Sequence, residues 1–161
     1  HMLNPIYILN GPSLNLLGKR EPDIYGHATL ADIRAAANAR AKKHKLTIVF
    51  RQSNHEGKLV DWIHEAREKG AGLIINAAAF THTSVALLDA LRALGKPIVE
   101  VHLSNPLARE SFRRHSYVSP VTKGLICGFG MDGYLLAIDA LANVLKEGDT
   151  AAPATRGRRK K

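Results

Sequence analysis

The stretch P-I-V-E-V-H-L, Pro97 to Leu103, decides the fold. It opens on a proline, is rich in β-branched residues, and is apolar nearly throughout, which reads as a short strand with little solvent exposure on either side. Four more runs share this character: IYIL at 6–9, LTIVF at 46–50, GLIIN at 72–76 and GLICGF at 124–129. Helix-period segments lie between them: TLADIRAAANARAKKH from Thr29, GKLVDWIHEAREKG from Gly57, TSVALLDALRAL from Thr83, and a last helix from about Met131 to Lys146.

Strands that alternate with helices call for a parallel sheet covered on both faces. Five such units give an α/β, flavodoxin-like three-layer fold with a five-stranded parallel sheet. Local signals agree: Thr29 and Asp32 form a capping pattern, Ser53 or Asn54 can cap the second helix, Thr83 or Ser84 the third, and Gly70 and Gly95 end theirs. Asn10 to Gly26 reads as a loop. In sheets of this type ligands bind beyond the carboxyl ends of the strands, where three polar loops meet: Asn10 to Tyr25, Asn76 to Ser84, and Glu100 to Asn105.

Composition narrows the class. The 161 residues, 45% hydrophobic, suit one domain over 3–147, with His1-Met2 read as a cloning remnant and 148–161 as a flexible basic tail. Net charge is +9, but five positive charges lie in the final TRGRRKK, which takes the remainder down to +4. A nucleic-acid partner is therefore not expected, and the tail reads as a solvated extension. Cys127 is the sole cysteine, so an intrachain disulfide is excluded. There is no metal-ligand spacing, and no apolar run approaches membrane-spanning length. A metal is not expected, and the setting reads as cytoplasmic.

Several constellations carry chemistry. Alternation along 97–103 puts Val99 and Val101 on one face and Glu100 and His102 on the other, so a carboxylate neighbours an imidazole at the ligand edge. That pairing suits His102 as a general acid or base oriented by Glu100. Asn76 and His82 share one polar loop, and Arg109, Arg113 and Arg114 offer a guanidinium for a carboxylate or hydroxyl. Asp89 interrupts an apolar helix face and points to solvent or a neighbouring subunit. GFGMDG, Gly128 to Gly133, fits a dinucleotide pattern by letter, but no strand follows with a ribose-binding acid, so tight turning and close helix packing explain its glycines. Tyr25 follows Lys19 and Arg20. A phenol, with an ordinary pKa near about 10, is a poor base at neutral pH unless a cation favours its phenolate, a role open to Arg20.

Together these segments resemble the type II 3-dehydroquinate dehydratases: the GPxLNxLGxREPxxYG loop, RQSNHEG at 51–57, WIHEA at 62–66, INAAAFTHTSVAL ending at Leu87, IVEVHLSNPLARESFRRHSYVSP and GLICGFGMDGY. The resemblance implies a hydro-lyase that removes water from 3-dehydroquinate through an enolate, without a Schiff base or cofactor, in the shikimate pathway of aromatic amino acid biosynthesis or in quinate catabolism. It implies Tyr25 as proton acceptor, Arg20 as transition-state stabiliser, His102 as proton donor and Glu100 as its orienter. It further implies substrate contacts from Asn76, His82, Leu103, Ser104 and Arg113, with Asp89 reaching a site across a subunit interface. A lid carrying Arg20 and Tyr25, and a dodecamer assembled as a tetramer of trimers, complete the expectation. Ser13 stands where the family usually has an asparagine near a water at the enolate oxygen. The competing reading is a flavodoxin-like ligand-binding or regulatory module. A receiver-type site is disfavoured by Asn10-Gly11, which brings no acidic residue to the end of the first strand.

Overall fold

A computed structural model describes residues 3–148. The expected remnant at 1–2 and the basic tail from 149 onward lie outside the described residues. The chain runs β1 (Ile6–Asn10), α1 (Pro22–Tyr25), α2 (Leu30–Lys43), β2 (Ile48–Gln52), α3 (Glu56–Lys69), β3 (Gly72–Asn76), α4 (Val85–Leu94), β4 (Ile98–His102), β5 (Gly124–Cys127) and α5 (Asp132–Lys146), with one-turn 3-10 segments in the connections. The strands form a single sheet in the order β2-β1-β3-β4-β5, and every pairing is parallel. This is the flavodoxin-like order.

Every residue of β1, β3 and β4 is buried, because helices cover both faces of the sheet. Side chains alternate. Ile6, Ile8, Ile74, Val99 and Val101 pack with Ile33 and Ala37 of α2 and Tyr134, Ile138 and Leu141 of α5. Tyr7, Leu9, Leu73, Ile75 and Ile98 pack with Leu59 and Ile63 of α3 and Leu87 and Leu91 of α4. Each fully buried leucine or isoleucine contributes roughly 1.5–3 kcal/mol of transfer free energy, so the two cores hold the strand ends in fixed register.

The helix ends follow local chemistry, with one correction. Thr29 and Asp32 form a reciprocal capping box, and Ser84 Oγ accepts the Leu87 N–H at 2.9 Å. The second expected cap is displaced: His55, not Ser53 or Asn54, is the N-cap of α3 and makes no side-chain cap bond. Ser53 Oγ instead accepts the His55 N–H at 3.0 Å, and Asn54 Oδ1 turns back to accept the Ser13 N–H at 3.0 Å. Long-range bonding has outcompeted the local cap. The segment read as loop after β1 also contains a 3-10 turn, Leu14–Leu16, and the four-residue α1.

The GFG turn has the packing role expected for it. Gly128 and Gly130 are left-handed, with φ of 91° and 56°, and a Cβ on Gly133 would lie 3.4 Å from Val101 Cγ1. The turn also braces β4, since the Gly128 and Gly130 N–H groups donate to the carbonyls of His102 and Leu103 at 3.3 and 3.0 Å.

Candidate active site

The three polar loops enclose a cavity of about 130 Å³ at the carboxyl ends of β1, β3 and β4. Of the residues singled out in the sequence, Ser13, Arg20, Tyr25, Asn76, His82, His102, Leu103, Ser104 and Arg113 line it. Glu100 does not. It lies one layer behind, 1% exposed, with Oε2 2.5 Å from His102 Nε2. Asp89 lies on the exposed side of α4, outside the cavity lining of its own chain.

Each loop is held by a different device. Asn76, 3% exposed, donates from Nδ2 to the Tyr134 hydroxyl at 3.0 Å and accepts the Ala78 N–H at 3.2 Å. Tyr134 in turn donates to Asn10 Oδ1 at 2.6 Å, and Asn10 donates to the Arg51 carbonyl at 3.0 Å. This buried chain links α5 to the ends of β1, β2 and β3, and burial pushes the Tyr134 phenol well above its ordinary range. His82 must donate from Nδ1 to the His115 carbonyl at 2.7 Å, because a carbonyl can only accept. Its tautomer is set, and Nε2 is its other ring nitrogen.

Tyr25 is half-buried, and its oxygen accepts a hydrogen bond from Arg109 Nη1 at 2.9 Å. Arg20 lies over the Tyr25 ring, with its guanidinium carbon 5.3 Å from the centroid, and pairs with Glu21 at 3.1 Å. Both arginines bring positive charge to the tyrosine, but the direct contact with its oxygen belongs to Arg109. Among the three arginines of its segment, spacing gave no ground to prefer it, and its contact is to a residue 84 positions earlier. Arg113 also faces the cavity and holds Glu110 at 2.7 Å; the Glu110 carboxyl sits below its ordinary value, through a backbone hydrogen bond and then Arg113.

Backbone strain gathers here. Of the four described non-glycine residues with left-handed backbone, Ser13, Glu21 and Ala78, at φ of 67°, 41° and 51°, belong to the two loops that border the cavity, and Lys45 lies in the turn before β2. Beneath His102, burial and the Glu100 carboxylate push the Cys127 thiol upward. Among the described residues no cluster of three or more His, Cys, Asp or Glu side chains is placed to hold a metal ion.

Residues 4–142 match the family described as dehydroquinase class II. The chain belongs to that family. This class II dehydroquinase chain is 60% identical over 145 residues to the 3-dehydroquinate dehydratase of Phenylobacterium zucineum (strain HLK1), a match covering 90% of this chain and 100% of the relative. It is 58% identical over 156 residues to the Brucella melitensis biotype 1 enzyme of the same name, covering 97% and 99% of the two chains. Among solved structures, the type II dehydroquinase from Propionibacterium acnes superposes with a TM-score of 0.85 at 43% identity, covering 89% of this chain and 99% of that one. The dehydroquinase fold thus accounts for the whole sheet and for the convergence of its loops. The sequence offers Arg109 only as one of three candidate guanidiniums and gives no site role to Tyr134, Asn10 or Asn54, because each acts through a partner far away in the chain.

Proposed function

We propose that the chain is a 3-dehydroquinate dehydratase, a hydro-lyase that removes water from 3-dehydroquinate to give 3-dehydroshikimate through an enolate. The observation that carries the reading is the pairing of two proton-transfer groups on one cavity: Tyr25, its oxygen held by Arg109 at 2.9 Å, and His102, backed by Glu100 at 2.5 Å. Tyr25 takes the proton from C2, and the electron pair moves into the C3 carbonyl to form the enolate. The enolate then collapses, the C1–O bond breaks, and His102 protonates the departing hydroxyl to release water. Arg109 and Arg20 support the phenolate, and Arg20 stabilises charge in the transition state.

In this reading Asn76, His82 and Arg113 bind substrate hydroxyls, while Leu103 and Ser104 grip its carboxylate. Ser13 holds a water near the enolate oxygen. The segment from the Gly11-Pro12 turn to Gly26 closes over substrate and excludes bulk water. The domain over 3–147 is catalytic, needs no cofactor and acts in the cytoplasm, in aromatic amino acid biosynthesis or quinate catabolism. Assembly is a dodecamer built as a tetramer of trimers. Exposed Leu107, Phe112, Leu125 and Phe129 around the β5 edge, and Val85 beside Asp89 on α4, support burial against further copies. Asp89 then serves a neighbouring site.

Mixing the purified protein with 3-dehydroquinate, without metal or cofactor, is expected to produce growing enone absorbance. No growth at micromolar enzyme would sink the proposal. The regulatory-module alternative would instead leave the substrate unchanged, and a flavin-binding form would be yellow.

A further inference from the structure

Glu100 takes two of its hydrogen bonds from a turn that the reaction, as set out above, does not use. Ser116 Oγ donates to Glu100 Oε2 at 3.2 Å. Ser116 Oγ itself accepts the N–H groups of Val118 and Ser119 at 3.1 and 3.0 Å. A serine hydroxyl has one proton and two acceptor positions. With both acceptor positions filled, the Ser116 proton is directed at the carboxylate. Ser119 Oγ donates to the other carboxylate oxygen, Oε1.

A carboxylate that receives two hydroxyl protons is acting as an acceptor, so its third partner must donate. That partner is His102 Nε2 at 2.5 Å. With Nε2 carrying hydrogen, Nδ1 is the ring nitrogen left to exchange a proton with a ligand. Glu100 is 1% exposed and His102 7% exposed, so water competes little for these contacts.

We propose that Ser116 and Ser119 are positioning residues: they clamp Glu100 as an acceptor for His102 Nε2–H, so that the doubly protonated imidazole gives its Nδ1 proton to the departing hydroxyl and is left as the Nε2–H tautomer. The proposal rests on the reading of His102 as the acid. The clamp lies on the Glu100 side of the imidazole, away from substrate, so it affects the chemical step and leaves substrate binding alone. A second cavity of about 60 Å³, which shares His82, His102, Pro106 and Arg113 with the first, is also bordered by Ser116, Ser119, Thr81 and Cys127.

The test is steady-state kinetics on 3-dehydroquinate for wild type, Ser119→Ala, Ser119→Thr, Ser116→Ala, Glu100→Gln and the Glu100→Gln/Ser119→Ala double variant, with a thermal midpoint for each. Losing a hydrogen bond to a charged group is expected to lower kcat about tenfold in Ser119→Ala and in Ser116→Ala, with KM kept within about twofold. Ser119→Thr, which restores the hydroxyl, is expected to return kcat to within about twofold of wild type, and Ser119→Ala is expected to add less than about twofold once Glu100 is glutamine. Nitrogen chemical shifts of His102 are expected to report the Nε2–H form in wild type and a tautomer mixture in Ser119→Ala.

Wild-type kcat in Ser119→Ala, a threonine variant no better than alanine, or an undiminished loss in the Glu100→Gln background would each overturn the clamp. Absence of turnover in the wild-type protein would overturn the dehydratase reading itself. Turnover in wild type with no loss in Ser119→Ala would overturn the clamp alone.

Discussion

Glu100 and His102 are 1% and 7% exposed, whereas the Arg20 side chain across the cavity is 42% exposed. The inner wall is made of strand ends whose buried polar groups are all satisfied: Glu100 by two half-buried serines and a buried histidine, and Asn76 by Tyr134 and a backbone N–H. The outer wall, from Ser13 to Gly26, is mostly solvent-facing; Leu14 and Leu17 anchor its first part in the core, and long-range contacts from Arg109 to Tyr25 and from Asn54 to Ser13 tie the rest. Burial fixes the inner half of the site throughout, while in the outer half only Leu14 and Leu17 are buried and tethers hold the rest. Damage to the inner wall should therefore reach the fold, and damage to the outer wall should reach turnover alone.

The largest expected effect lies on the outer wall. Tyr25→Phe deletes the proposed proton acceptor and should lower kcat by about 10²–10⁴ while leaving the thermal midpoint nearly unchanged. Turnover near that of wild type would remove Tyr25 from the mechanism. Arg109→Ala should cost less, about 10–10² in kcat, because Arg20 still lies over the ring after the charge-assisted bond is lost. Circular dichroism should show an unaltered fold; a collapsed one would place Arg109 in the frame instead.

On the inner wall the order reverses. Tyr134→Phe leaves Asn10 Oδ1 without its donor and should destabilise the fold by about 1–3 kcal/mol in denaturant titration. A stability within error of wild type would show that the buried chain of amides is not structural.

Glu65 offers a pH-dependent version of the same contrast. The Tyr7 hydroxyl donates to Glu65 at 2.5 Å, which is the main cause holding the Glu65 carboxyl below its ordinary 4.5. A depressed folded-state value means that this stabilisation is present above about pH 4.5 and is lost as pH falls through the folded value. Glu65→Gln should accordingly flatten the acid limb of stability below that pH, measured as thermal midpoint against pH. An unchanged limb would mean the pair contributes nothing.

The smallest expected effect is at Ser13, left-handed at φ 67°. Asparagine tolerates this region better than serine, so Ser13→Asn should raise kcat modestly and lift the thermal midpoint by a degree or so. An equal or lower kcat would show that serine in this position costs no turnover.

The inner wall was the legible half of the sequence. Continuous apolar runs and two-residue alternation are local signals, so the strands, their order, and the shared face of Glu100 and His102 could be read from them. Thr29 with Asp32 was legible for the same reason. Asn54 was misread as a helix cap because its true partner, the Ser13 N–H, lies 41 positions away. Tyr134 carries no local signal of its role, since its bond to Asn10 spans 124 positions. The one-turn helices between Leu14 and Tyr25 are too short for periodicity and are shaped by what they pack against.

Gly11 joins the two walls, its N–H donating to the Asn76 carbonyl at 2.8 Å, and a Cβ there would come within 2.4 Å of the Ala77 carbonyl oxygen. No side chain fits without forcing the two loop roots apart. For inhibitor design this is a point of low escape. A compound seated between Ser13 and Asn76 presses on a junction where resistance by substitution would cost the enzyme its own geometry.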